Sequence, residues 1–233
     1  MILLLYFTLL MTTAQFDQVN HDIKTYTVKR IQDELRITGK GDNPLWVDAI
    51  ELSDFIYPWE NEQPPLTSFK ALHNKDWLYC LFRAKDDNIN LFVDKNVKSE
   101  VGSSDRVELF FKIDDNLSPY FGLEMDPLGR VMDYRATYYR NFDSSWSWPA
   151  GEMVIKTDLR KDGYTVELAF SKKSLTTLGL LKAKRLLAGV YRGNCIALKG
   201  KEATLKWISW VKPDSKTPDF HIPSSFGVLM LED

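Results

Sequence analysis

Three carboxylates near the middle of the chain have the types and the spacing for acid–base chemistry. Glu124 and Asp126 share one face of a segment in which apolar and polar residues alternate, and Glu108 lies on an earlier segment of the same kind. Some β-sandwich glycosidases use a Glu-x-Asp strand that a second Glu completes a few residues later, but residues 127–130 contain no carboxylate. Retaining hydrolysis requires two carboxyl groups about 5 Å apart. A glycoside hydrolase or lyase using these residues, with Glu108 facing Glu124 across neighbouring strands, is therefore the alternative to solvent-facing or hydroxyl-binding carboxylates.

The aromatic loop that follows is a second candidate for function. Trp146 and Trp148 stand there among small polar residues, where burial is hard to arrange. We therefore predict that this loop belongs to a binding surface, with Arg135, Glu108 and Glu124 as candidate partners for hydroxyl groups of a ligand. The alternative is that one tryptophan covers an open sheet edge and the charged residues form a solvated face with surface ion pairs.

Alternating patterns predict the elements that must position these residues. Strands are predicted at residues 104–111, 120–126 and 131–139, with Asp126 and Pro127 opening a type I turn before the third strand. An Asp-Gly pair at residues 162–163 predicts a further hairpin. Short strands at regular spacing, with almost no helical periodicity, predict an all-β fold. We expect one domain over residues 15–233, an antiparallel, jelly-roll-like β-sandwich.

One short helix and one helical turn are predicted between the strands. Asn43 would cap a helix at residues 45–52, with Trp46 packed into the core, and Ser171 would cap a turn after the hairpin.

The composition excludes several classes of function. A formal charge of −2 and a pI near 6.0, without a cluster of basic residues, argue against a nucleic acid partner. The three histidines are scattered along the sequence, which argues against a His-based catalytic or zinc site. Two oxygen-rich turns, at residues 86–88 and 114–116, are candidate sites for a structural calcium ion, although such sequences are more often plain turns.

The N-terminus and the two cysteines bear on where the protein works. Residues 1–11 form an apolar run that leads into small residues ending at Ala14, which predicts a signal peptide over residues 1–14. The alternatives are a buried strand or a misplaced start codon. The run is too short to span a bilayer. We therefore expect a secreted, periplasmic or cell-surface protein, in which Cys80 and Cys195 form one disulfide or, more commonly for such a pair, remain buried free thiols.

Several segments occur in the order typical of carbohydrate-binding module family 9 and its bacterial relatives, and the chain resembles this family over nearly all of residues 15–233. The segments are NPLWVDA (43–49), WLY (77–79), SDRVELF (104–110), YFGLEMD (120–126), GYTVELAF (163–170), ISW (208–210) and FG (226–227).

The resemblance implies a β-sandwich that binds a glycan or oligosaccharide without cleaving it and without a cofactor. In the best-known members, two aromatic side chains hold a terminal sugar. The first would fall near Gly102, where nothing is aromatic, and the second near Phe220; position 124, Arg in some members, is Glu here. Trp146 and Trp148 are expected to replace the missing aromatic side chain, because an aromatic face suits the apolar C–H face of a pyranose. A haem-binding sensor, known among related sandwiches, is a third alternative, for which the sequence offers no placed His–Met pair.

The predicted signal peptide is directly testable. Expression in a host with a general secretory pathway should give a mature protein that begins at Gln15, which intact mass spectrometry would reveal. An exported protein that retains residues 1–14 would contradict the prediction.

Overall fold

The computed structural model describes residues 23–233. The predicted signal peptide, residues 1–14, lies outside the described residues. The strands are β1 (Thr25–Arg30), β2 (Thr67–His73), β3 (Trp77–Lys85), β4 (Arg106–Lys112), β5 (Tyr120–Met125), β6 (Val131–Thr137), β7 (Asn141–Asp143), β8 (Met153–Arg160), β9 (Gly163–Ser171), β10 (Arg185–Lys199), β11 (Glu202–Ser209) and β12 (Gly227–Leu231). One α-helix, α1 (Lys172–Thr177), follows β9.

Strand β1 connects two layers of sheet. Its residues 25–28 pair with β12, its last two residues pair with β2, and both pairings are parallel. The first layer has the order β7-β6-β5-β4-β10-β12-β1, with β11 added to β10, and the second has the order β1-β2-β3-β9-β8. The other strand pairs among residues 23–233 are antiparallel. The predicted all-β sandwich is confirmed, as a mixed sheet with β1 at the junction.

The main core lies between the two layers. Phe111 of β4 meets Phe170 of β9 edge to face, with ring centroids 5.6 Å apart. Trp148 joins them: its ring is 5.1 Å from Phe170 and its indole N–H donates to Ser174 Oγ (3.2 Å). Trp148 is 5% exposed, so this residue of the aromatic loop closes the core.

Both outer faces of the sandwich are also covered. Residues 31–49 pack over the second layer through Trp46, whose indole N–H donates to the buried Glu167 (2.8 Å). Residues 211–226 pack over the first layer through Phe220 and Phe226. Strand β4 is therefore buried on both faces, although its alternating sequence is typical of a strand with one face in solvent.

Local sequence signals were correct except at one helix. Ser171 caps α1 by accepting from Ser174 N (3.0 Å), and the hairpin between β8 and β9 forms as predicted. Asn43 caps a 3-10 helix that spans only Pro44–Val47, shorter than predicted. Ile50, which would share the face of Trp46 in a helix over residues 45–52, lies beyond this short helix and is exposed.

The cysteines and the acidic turns have structural roles. Cys80 and Cys195 are buried free thiols, as the commoner alternative predicted. In the two oxygen-rich turns, Asp86 and Asp114 each accept a hydrogen bond from a backbone N–H two residues later, and Asp86 also pairs with Arg192 (2.7 Å). No group of three or more His, Cys, Asp or Glu side chains in residues 23–233 has the geometry to hold a metal ion.

Within residues 23–233, no helix is both long enough and apolar enough to cross a bilayer.

The role of Trp148 in the core can be tested by truncation. Trp148→Ala should lower the free energy of unfolding by about 3–5 kcal/mol, because it leaves a cavity between the layers. Urea denaturation would measure the loss. The matched control is the exposed Tyr138→Ala, for which we expect a change within about 0.5 kcal/mol. Equal stability of the two variants would contradict the core assignment.

Candidate functional site

A small pocket lies on the outer face of the first layer, between strands β4 and β5 and the covering residues 211–226. Its volume is about 150 Å³. We call it the Arg106 pocket. Its lining residues are Arg106, Glu108, Glu124, Arg140, Trp207, Pro218, Asp219, Phe220 and His221.

Arg106 holds two carboxylates of the pocket together. Its Nε donates to Glu124 Oε2 (2.6 Å) and lies 2.9 Å from Glu108 Oε1. The register of the sheet explains this, because Glu108 of β4 is directly opposite Glu124 of β5. A terminal nitrogen of Arg106 donates to the carbonyl oxygens of Gly102 (3.0 Å) and Ser104 (3.3 Å). All three charged side chains are buried, so water screens their interaction far less than it would at the surface.

One carboxyl oxygen of Glu108 accepts no hydrogen bond. Glu108 is only 2% exposed, and its Oε1 is unsatisfied because the single Nε–H of Arg106 is directed at Glu124. Burial and, after it, the charge of Glu124 raise the pKa of Glu108 to about 8, although Arg106 opposes the shift. At neutral pH this carboxyl group is therefore mostly protonated. It can both donate and accept a hydrogen bond, which suits a hydroxyl group of a ligand.

Trp207 is the aromatic side chain that this pocket leaves partly accessible. It is half-buried, and the guanidinium carbon of Arg106 lies 5.2 Å from its ring centroid. Phe220, in contrast, is buried: its ring stacks on Tyr191 with centroids 4.1 Å apart, and Trp59 and Trp207 contact its remaining sides. Phe220 therefore supports Trp207 and presents little ring surface of its own.

Polar groups form the opposite rim. Asp219 accepts hydrogen bonds from Tyr139 OH (2.6 Å) and from Arg140 (3.0 Å). Burial favours the neutral acid, but these hydrogen bonds outweigh it, so the pKa of Asp219 is lowered overall. His221 stacks on Phe110 at 5.3 Å. Burial and the nearby Arg140 charge lower the pKa of His221 to about 4, so its ring is neutral at physiological pH.

The predicted site residues separate into two groups. Glu108, Glu124 and Phe220 line the Arg106 pocket. Arg135 lies on the opposite face of the sheet, since it pairs in register with the core residue Phe121. It forms an exposed ion pair with Asp143 (2.9 Å).

The two loop tryptophans are also on that opposite side. Trp148 belongs to the core, so no face of its ring is available to a ligand. Trp146 is half-buried, and its ring packs on Phe121 with centroids 5.0 Å apart. Trp146 therefore keeps some accessible surface, but not in the Arg106 pocket.

Sequence reasoning missed the residues that complete the pocket. The signal for Trp207 was present, because alternation along β11 places Ile208 and Trp210 in the core and Trp207 on the other face. Alternation along residues 104–111 places Arg106 on the same face as Glu108, but nothing local identifies it as the partner of two carboxylates. No local pattern identifies Arg140, Asp219 or His221, which a turn and an irregular segment bring to the pocket.

The geometry bears on the hydrolase alternative. Glu108 and Glu124 do face each other across neighbouring strands, but they share Arg106, whose Nε lies within 3 Å of both. The side chain of Asp126 is fully buried and bound by Arg130 and by backbone N–H groups of its turn. These contacts leave no free pair of carboxylates around an open space.

Comparison with known families identifies the fold. Residues 37–233 match the family described as "Carbohydrate family 9 binding domain-like". The chain belongs to this family. The resemblance drawn from the sequence segments is thereby confirmed.

Solved structures similar to this family 9 chain share its fold. A protein from Bacteroides uniformis ATCC 8492 superposes with a TM-score of 0.68 at 17% identity, covering 90% of this chain and 100% of that one. A family 9 module from Caldicellulosiruptor kristjanssonii, in complex with cellotriose, gives 0.58 at 18% identity (90% and 94% covered). A family 9 module from the same organism, in complex with glucose, gives 0.56 at 20% (90% and 96%). No curated protein matches the chain.

The protonation of Glu108 predicts a pH dependence of stability. Its pKa rises from 4.5 to about 8 on folding, so between these values the folded state holds a proton that the unfolded chain has released. Stability therefore falls as the pH rises through this window. Glu108→Gln removes this contribution, so the variant should lose less stability than the native chain between about pH 5 and about pH 8 in urea denaturation.

Asp105 serves as an internal control for this measurement. Its pKa is raised to about 7, chiefly by burial, but it contributes equally to both proteins and cancels in the difference. An identical pH dependence of the two proteins would show that Glu108 is ionised in the folded state.

Proposed function

We propose that the chain binds carbohydrate, without cleaving it, in the Arg106 pocket. The observation that carries the proposal is the composition of the pocket wall, where the partly accessible ring of Trp207 stands among the side chains of Arg140, Asp219, Glu108 and Glu124. The ring of Trp207 suits the apolar face of a sugar. The polar side chains suit its hydroxyl groups.

The remaining groups of the pocket fit the same ligand. Arg140 is partly exposed and uses one terminal nitrogen to bind Asp219, so other N–H groups of its guanidinium remain able to donate to sugar oxygens. The pocket volume of about 150 Å³ is below the range of roughly 300–1,000 Å³ typical of sites for larger ligands. We therefore propose that it takes a single sugar ring.

Binding is a better account of this site than hydrolysis. Catalysis would require one carboxyl group to reach the leaving oxygen and the other to reach the sugar carbon or a water. Arg106 holds Glu124 by a hydrogen bond of 2.6 Å and stands close to Glu108. An arginine in this position supports orientation of hydroxyl groups, and the structures similar to this chain include family 9 modules with cellotriose and with glucose.

We also propose that the protein is exported. The support is the apolar run of residues 1–11 followed by small residues up to Ala14. An extracellular or periplasmic location would bring the domain into contact with polysaccharides.

The proposed site predicts the effect of removing its aromatic ring. A glycan array should identify a bound sugar, and Trp207→Ala should weaken that binding by about 1–3 kcal/mol because one stacking surface is lost. Isothermal titration calorimetry would measure it, with Val154→Ala on β8 of the second layer as the control.

Two results would contradict the proposal. If Trp146→Ala weakens binding and Trp207→Ala does not, the sugar binds on the opposite face of the sheet. If the protein releases reducing sugar, and Glu124→Gln abolishes this without loss of affinity, the protein is a hydrolase.

A further inference from the structure

A turn beside the Arg106 pocket carries an unusual group of exposed aromatic rings. Tyr138 is 57% exposed, Tyr139 52% and Phe142 46%. Within residues 23–233, these three are the only aromatic side chains among the exposed large apolar ones. We call residues 138–142, which follow β6 and include the first two residues of β7, the aromatic turn. Its concentration of exposed rings is not explained by the core.

The aromatic turn is attached to the rim of the pocket. Tyr139 OH and the Arg140 guanidinium each donate to one carboxylate oxygen of Asp219, at 2.6 Å and 3.0 Å. The ring of Phe142 lies 5.2 Å from that of His221. Because Asp219 and His221 line the pocket, Tyr139 and Phe142 adjoin its rim, and Tyr138 adjoins Tyr139.

Tyr138 has the most accessible ring of the group. Among the described residues, its ring pairs with one other ring, that of Tyr139, edge to face at 5.3 Å. One face of Tyr139 is approached by the Arg140 guanidinium at 5.2 Å, and Phe142 meets Tyr134 at 5.1 Å. The flat surface of Tyr138 is therefore the most available for stacking.

We propose that the aromatic turn is a second sugar subsite, which binds the unit next to the one in the Arg106 pocket. The inference rests on the proposed function, because it requires a sugar in that pocket. A cavity of about 150 Å³ leaves no room for a second ring, so the rest of a glycan chain has to leave across the rim. An exposed tyrosine there offers an apolar face and a hydroxyl group, which matches a pyranose. The ligand is thus an oligosaccharide of at least two units.

Calorimetry with glucose and cellotriose tests the subsite. The native chain should bind cellotriose more tightly than glucose, and Tyr138→Ala should weaken cellotriose binding about 3- to 10-fold, the scale of one stacked ring, with glucose binding unchanged. Tyr138→Phe keeps the ring and should retain most of the cellotriose affinity. Leu159→Ala is the matched control, because Leu159 is 50% exposed on β8, at the other end of the strand order. Unfolding midpoints of all variants should be unchanged.

The outcomes distinguish failure of the subsite from failure of the proposed function. If the native chain binds cellotriose and glucose equally, or if Tyr138→Ala binds cellotriose as well as the native chain does, the aromatic turn is not a subsite, while sugar binding in the pocket stands. If neither probe binds, the oligosaccharide selected by the glycan array and its terminal monosaccharide replace them in the same comparison. If no glycan binds the native chain, both the proposed function and the subsite are wrong.

Discussion

The buried contact of Arg106 with Glu124 and Glu108 is the constraint on which the pocket and much of the first layer depend. Moving charged groups out of water costs several kcal/mol for each ion, and attraction offsets this only when the geometry is good. Here the register of β4 and β5 sets Glu108 and Glu124 side by side, and Arg106 reaches both. A slip of one residue would turn these side chains toward the core. The sheet therefore fixes the charged floor of the pocket, and the turn after β6 and residues 211–226 supply the rest of its lining.

The same constraint sets the hydrogen bonding of the two glutamates. The single Nε–H of Arg106 is directed at Glu124, so Glu108 Oε1 lies 2.9 Å from that nitrogen without accepting its hydrogen bond. Burial then favours the protonated form of Glu108. The cover of residues 211–226 keeps these groups from bulk water, which strengthens any polar contact that a ligand makes there.

The sequence was sufficient to predict the strands but not what lies over them. Alternation, the Asp-Gly turn and the Ser171 cap are local signals, and each formed as expected. The covering residues 211–226 contain three prolines and no periodicity, so nothing local showed that they bury the polar face of β4. For this reason Glu108 and Glu124 were recognised as site residues while their burial was not.

The burial of Trp148 could not be predicted from the sequence for a related reason. The loop is polar in composition, yet Trp148 packs against Phe111 and Phe170, which come from the two layers. Such contacts depend on tertiary packing, which overrides local composition. The exposed rings instead occur at the preceding turn, at Tyr138 and Tyr139.

The pairing of β1 with β12 has a mechanical consequence. These strands are parallel neighbours, with Thr25 opposite Val228 and Val28 opposite Leu231. A force that pulls the two ends of the described chain apart would draw these strands past each other along their length. Their hydrogen bonds would then carry the load together in shear, rather than opening one after another. A domain held under tension through its two ends would therefore resist extension at the β1–β12 pair.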